Sequence, residues 1–325
     1  MDDRRASWGR RLWRAVADYV GLTAVLVGLI VVFGLSGRNF FSLDVLRTIA
    51  NQVPYAVILA VGMTFVLIIA GIDLSIGSVL ALSCAVFGVC LKQWGWPMPC
   101  AVAACLVVGM VCGAINGALT VTWWLPSFIV TLGMLEMARG GAYLATRMRT
   151  VTIPRIDKLA EISWLGLSLP FYIALAIVIV GQFVLARTVF GRYMVAIGTN
   201  EEAARLAGIG ARRIKLAVFT LCGFLASVAA VMHAAKLPSA DPNIGVGYEL
   251  DAIAAVVIGG TSLMGGRGSV VASFLGVLIM AVLWFGLAAL GVGEDYKRLV
   301  TGAVIIAAVV GDYYRRRLAR SRQGA

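Results

Sequence analysis

Apolar runs of about 17–25 residues recur along the whole chain. A run of that length crosses a bilayer as a helix, because in hydrocarbon every backbone N–H and C=O must find its partner within the segment. Ten spans are read: Tyr19–Leu35, Pro54–Ala70, Ile76–Leu91, Ala101–Val121, Ser127 to about Ala145, Leu169–Ala186, Leu216–Ala235, a short Leu250–Ile258, Val270–Leu290 and Leu299–Val310. At 61% hydrophobic and 14% charged, the chain lies far from the roughly 45–50% and 25% of soluble domains. The expected fold is therefore all-α, a polytopic membrane protein in a single domain over residues 19–313.

Lysine and arginine resist translocation, so their distribution sets the orientation. With ten spans both termini share one side, and most of the 28 Lys and Arg fall there, in the basic, aromatic segment 1–18, the loop 187–215 and the tail 314–325. Both termini are expected in the cytoplasm. The net charge of +12 reads as this bias and not as a nucleic-acid surface, since the bases are dispersed. Trp8 and Trp13 among arginines suit an interfacial anchor or simple cytoplasmic flanking. No small-residue cleavage site follows the first run, which is expected to be retained. The six cysteines lie in or beside apolar runs without C-x-x-C pairs and are read as packing residues.

The spacing of the spans suggests two halves, two to five and seven to ten, inverted relative to each other. In each, the second member is entered through a polar, glycine-rich break, "AGIDLSIGS" at 70–78 and "GVGYELDAI" at 245–253. Matched breaks in inverted halves are a transporter pattern, because they expose backbone groups to a central pathway. Gly109, Gly113 and Gly117 repeat every four residues and allow close helix packing.

One stretch, "GTNEEAARLAGIGARRIKL" at 198–216, is too polar to span. Thr199, Asn200, Glu201 and Glu202 fit a capping box, with Thr199 as the cap and Glu202 reaching back. A short helix then runs through Ala203, Ala204 and Arg205, and Gly208 ends it in the left-handed conformation. A helix this short is marginal alone and needs a surface, whether a protein or the membrane face.

Glu202-Ala203-Ala204 followed three residues later by Gly208 resembles the E-A-A-x-x-x-G loop of binding-protein-dependent ABC import permeases. With "GIDLSIGSVLAL" (71–82), "PSFIVTLGMLEMARGGAYL" (126–144), "GRYMVAIGTNEEAARLAGI" (191–209) and "GYELDAIAAVVIGGTSLMGGRGS" (247–269), the chain is similar to their ribose-type monosaccharide branch over about residues 19–313. The resemblance implies a permease subunit of a bacterial inner-membrane importer. Its partners would be a second permease copy, two cytoplasmic ATP-binding subunits and an extracytoplasmic sugar-binding protein. It also implies that residues 199–208 form the helix that couples to the ATPase. The chain has no G-x-x-x-x-G-K-[ST] phosphate cradle, so ATP-Mg is expected on the partner, with no cofactor or metal on this chain. Asp241, Asn243 and the loop 146–168 depart from the family pattern.

Ionisable and polar groups inside spans need a partner or a water-filled path. Asp73 and Ser75 at the first break, and Glu249 and Asp251 at the second, border the expected pathway, with Asn116 and Thr261 as further gate candidates; Asp73 is read first as a helix cap, which still allows it a structural part in the gate. Glu136 and Arg139, three apart, are expected to pair, with pathway lining as the other reading for Glu136. His233 reads as a satisfied interface residue. Few aromatic and planar polar groups suitable for a sugar stand inside the spans, which points to a smooth conduit. Two other classes are weighed. An ion-coupled secondary transporter would need carboxylates that load and release ions. An intramembrane serine protease would use Ser36 of "GLSG" with His233 as base.

Overall fold

The computed structural model describes residues 2–36, 40–293 and, with gaps, 295–311, the stretch 2–18 by its backbone alone. Its described elements run α1 (Asp2–Ser36), α2 (Leu43–Gln52), α3 (Pro54–Ile68), α4 (Ile76–Lys92), α5 (Met98–Thr122), α6 (Ser127–Thr146), β1 (Val151–Thr152), α7 (Lys158–Glu161), β2 (Ser163–Trp164), β3 (Leu167–Ser168), α8 (Leu169–Arg187), α9 (Val189–Thr199), α10 (Glu201–Leu206), α11 (Ala211–Lys236), β4 (Ser239–Ala240), α12 (Tyr248–Ile258) and α13 (Val270–Ala289). The strands are two-residue clasps: β1 pairs antiparallel with β4, and β2 with β3. The fold is a helical membrane bundle.

Five helices are long and apolar enough to cross a bilayer: α1 through Tyr19–Ser36, α5, α8, α11 and α13; α2 and α3, bent by 49°, make a sixth if taken as one span. The expectation of ten such spans is thus not met as stated. Helix α4 has 17 residues and α12 only 11, and α6, though 20 long, is diluted by Glu136 and Arg139. The tenth stretch is helical at 299–304 and otherwise falls partly outside the described residues, as the tail 314–325 does wholly.

Short helices arise because the chain breaks inside the bundle. Pro54 starts α3, where a missing N–H costs nothing. Thirteen residues of α3 are buried, so it is the central post. It ends where the backbone turns left-handed at Ala70 (φ 58°), with Gly71 N–H donating to Val66 O at 2.9 Å. The chain re-enters helix only at Ile76. The second break, 237–247, carries left-handed Gly245 and Gly247.

Around α3 the backbones approach closely where glycine removes a side chain. A Cβ on Gly109 of α5 would lie 2.3 Å from Gly223 O of α11, and one on Gly113 2.3 Å from Phe219 O. The expected packing role of the repeated glycines is realised there. Cys84, Cys90, Cys105, Cys112 and Cys222 are buried free thiols, while Cys100 is exposed.

Candidate functional site

The two breaks meet each other. A Cβ on Gly77, in the first turn of α4, would fall 2.1 Å from Gly245 O and 2.6 Å from Glu249 Oε2, and one on Gly245 would fall 2.3 Å from Gly77 O. Two interrupted helices thus touch through bare backbone, an arrangement tolerated in a membrane only where the freed backbone groups are satisfied by neighbours.

At the first break the donors are bonded one by one. Ile72 N–H donates to Ser127 Oγ at 3.0 Å, Leu74 N–H to Thr131 Oγ1 at 3.0 Å, and Ser75 N–H to Asp73 Oδ1 at 2.9 Å. Asp73 is 1% exposed and also accepts from Ser75 Oγ at 2.6 Å. It therefore does not cap α4, whose N-cap position is Ser75; its short side chain closes a turn on the residue two ahead. Asn116 Nδ2 donates to Ser75 Oγ at 2.9 Å, while its Oδ1 is buried without a partner. Buried Thr261 likewise leaves Oγ1 unbonded.

At the second break Arg139 donates to Pro242 O at 2.6 Å and to Ile244 O at 2.7 Å. Tyr143 donates to Asn243 Oδ1 at 3.0 Å, and Glu249 Oε1 accepts from Gly247 N–H at 3.3 Å. The expected Glu136–Arg139 ion pair is absent, because two carbonyls of the break occupy the guanidinium. Glu136 sits one residue off the row formed by Ser127, Thr131, Arg139 and Tyr143. Those four lie at multiples of four on α6, hence along one ridge that winds about 40° further round the helix at each step. One helix braces both breaks, one near each of its ends. Sequence reading missed this, since the bonds join residues 55 to 105 positions apart.

The polar island sits at the end of the bundle where α3 finishes. Asn200, not Thr199, caps α10: its side chain accepts from Ala203 N–H at 2.9 Å. Thr199 is instead the last residue of α9 and its hydroxyl donates to Val195 O at 2.7 Å, so the expected cap falls one residue later. Gly208 ends the helix as expected, at φ 80°. Its N–H bonds Arg205 O at 2.9 Å and Ile209 N–H bonds Ala204 O at 3.0 Å, the paired bonds of a Schellman turn.

What holds so short a helix is a small cluster beneath it of Ile197, Ala204 and Ala211. Lys215 of α11 pairs with Glu201, and Arg205 and Arg212 lie 5.1 and 5.4 Å from the ring centre of Trp124 on the α5–α6 loop. Glu202 and Ala203 face outward, and Leu206 is 86% exposed. Trp124 and Lys215 were absent from the expected set, and Leu206 fell within 199–208 without being singled out; the amphipathy of α10 was the available signal for it.

The ion pair offers a direct check. Lys215→Glu is expected to destabilise the protein by about 1 kcal/mol, the scale for a partly exposed pair. Adding Glu201→Lys should restore most of it in a double-mutant cycle of thermal midpoints. Independent effects would remove this contact from the account.

His233 is buried against aromatic rings, 5.3 Å from Tyr55 edge-on, with Nδ1 unbonded. Among the described residues it makes no hydrogen bond to Ser36, so no nucleophile–base pair forms.

Over residues 45–309 the chain matches the family described as the branched-chain amino acid transport system permease component. It is 41% identical over 316 residues to the ribose import permease protein of Escherichia coli (strain K12), covering 94% of this chain and 97% of that protein. It is 35% identical over 306 residues to the fructose import permease protein of Rhizobium meliloti, covering 91% and 85%, and 35% identical over 343 residues to the xylose transport system permease protein of Escherichia coli (strain K12), covering 85% and 84%. On these matches, spread over nearly the whole described bundle, the chain belongs to this family of membrane permeases.

Proposed function

We propose that this chain is the membrane-spanning permease of an ATP-binding-cassette importer that moves a monosaccharide of the ribose, xylose, arabinose or fructose kind into a bacterial cell. It acts with a second permease copy, two cytoplasmic ATP-binding subunits that carry ATP-Mg, and an extracytoplasmic sugar-binding protein. Both termini and α10 lie on the cytoplasmic side of the inner membrane, and residues 199–208 engage the ATPase. The pathway runs beside the two breaks, with Asp73, Ser75, Asn116, Glu136, Glu249, Asp251 and Thr261 along or behind it.

The observation that carries this reading is α10 itself. A six-residue helix is clamped from below by an apolar cluster, an ion pair and a Trp–Arg stack, yet presents a leucine at 86% exposure. Glu202, Ala203 and Leu206 thus share an outward face on a helix held rigidly from below, which suits a cleft on a partner, as the E-A-A-x-x-x-G resemblance implies. The names of the similar permeases support sugar as the cargo.

The test is import into vesicles holding the permease with the ATPase and binding protein encoded beside it. Sugar uptake should require all three together with ATP, and Glu202→Lys or Leu206→Arg should lower uptake at least about tenfold, the loss of roughly 1.4 kcal/mol at an interface. Uptake by the permease alone, driven by an ion gradient, would overturn the reading.

A further inference from the structure

Between α3, α12 and α13, near the ends of α3 and α12 remote from α10, lies a cavity of about 140 Å³. A water molecule occupies about 30 Å³ of liquid, so there is room for a small cyclic solute. Tyr55 begins α3, and Ile68 at its other end meets the α9 terminus. Thirteen residues at 1.5 Å each put the cavity roughly 20 Å from the coupling end.

Its lining is unlike the rest of the bundle. The rings of Tyr55 and Tyr248 stack at 5.0 Å and 23°, with Trp284, Gln52 and Asp251 on the remaining wall and Ala252 in the floor. These side chains are fixed from outside the cavity. His233 packs edge-on against Tyr55, and the Trp284 indole donates to Thr301 Oγ1 at 3.1 Å, holding the plane of its ring.

Resting on the permease reading above, we propose that this cavity is a transit subsite for the ring of a monosaccharide. Aromatic faces accept the C–H surface of a sugar ring and leave its rim of hydroxyls free, and a carboxylate and an amide beside them accept and donate to those hydroxyls. A lipid acyl chain gains nothing from a carboxylate and an amide in the lining. The subsite is small, mostly apolar and half open, so it holds sugar weakly and releases it readily. Such a station would stand in an otherwise smooth conduit, on the side where the binding protein delivers.

Saturation-transfer NMR on the full-length permease in nanodiscs with D-ribose, D-xylose, L-arabinose and D-fructose reads the site directly. At least one sugar should show transfer to its ring protons. Asp251→Asn, which preserves shape, should weaken that signal at least about fivefold by removing a charged hydrogen-bond acceptor. Ala252→Phe, which fills the cavity and leaves every polar side chain of its lining in the sequence, should abolish it. Gly21→Ala, on α1 with nothing within 4 Å of its Cβ position, should leave it unchanged. Absence of transfer for all four sugars, or an equal signal in both cavity variants, overturns the subsite, as does native mass spectrometry finding a lipid retained by the wild type and lost in Ala252→Phe. Vesicle import by the wild-type assembly is scored separately: import of a sugar together with failure of the NMR arm discards the subsite alone, whereas no ATP-driven import of any of the four discards the permease reading.

Discussion

Gly198→Val is expected to abolish ATP-driven import, and Gly198→Ala to reduce it at least about tenfold, because position 198 is where three backbone segments converge without side chains. Gly198 lies one residue before the end of α9, just ahead of α10. A Cβ there would stand 1.7 Å from Ile68 O, at the end of α3, and 2.6 Å from Gly266 N. Those two atoms are already hydrogen-bonded to each other at 2.9 Å. Gly265 and Gly266 reach the spot only through left-handed φ values of 83° and 75°, and a Cβ on Gly265 would lie 2.8 Å from Gly198 O.

The node thus ties the helix before α10 to the end of the central post and to the loop between α12 and α13. A displacement of α10 cannot be absorbed there by flexing side chains, for none intervene. It must move the foot of α3, and with it the first break. Splitting the node should therefore uncouple ATP hydrolysis from uptake and not merely slow both. The measurement is the ratio of sugar imported to ATP hydrolysed in vesicles, with amounts matched by size-exclusion of the detergent-solubilised assembly. A Gly198→Ala assembly with normal stoichiometry would show that coupling travels by another route.

Much of this architecture was legible in the chain. Apolar runs gave the helical bundle, the glycine repeat on α5 gave its close approach to α11, and Gly208 gave the end of α10. Residues that act on neighbours in sequence were read well because helix periodicity and turn chemistry are local. The cap at Thr199 slipped by one residue because Thr199 and Asn200 are both good caps, and the choice depends on where α9 ends. The count of ten spans is not decided by helix length: a length rule presumes continuous helices, and α3, α4 and α12 are pieces of interrupted ones. Pairings across the bundle were invisible. Arg139 has Glu136 within reach on its own helix, yet two carbonyls 103 and 105 residues away claim it. The cavity of Tyr55, Tyr248 and Trp284 draws on three distant segments, so no window of sequence displays it.

Gly223→Leu is expected to yield no folded permease, and Gly223→Ala to lower the thermal midpoint by roughly 5–10 °C, as a few kcal/mol of overpacking implies for a chain of this size. A Cβ at 223 would lie 2.1 Å from Gly109 O and 2.9 Å from both the Cα and N of Gly113. All of these neighbours are backbone, so relief requires α5 and α11 to separate as rods. In a bilayer no hydrophobic force re-closes the gap, because lipid tails fill it as comfortably as leucine does; helix association there rests on close packing itself. The reciprocal clash, Gly109 against Gly223 O at 2.3 Å, predicts that Gly109→Ala behaves alike and that the two together cost more than either. Buried thiols supply the readout. Cys105 of α5, whose Sγ lies 3.6 Å from Ser227 O, and Cys222 of α11 flank this contact. In a Cys100→Ser background, which removes the exposed thiol, a thiol-reactive dye reports unfolding as those sulfurs emerge. An unchanged midpoint in Gly223→Ala would mean that the two helices have slack, and the consequence would reach both sites: α11 carries Lys215 under α10 at one end and His233 behind Tyr55 at the other.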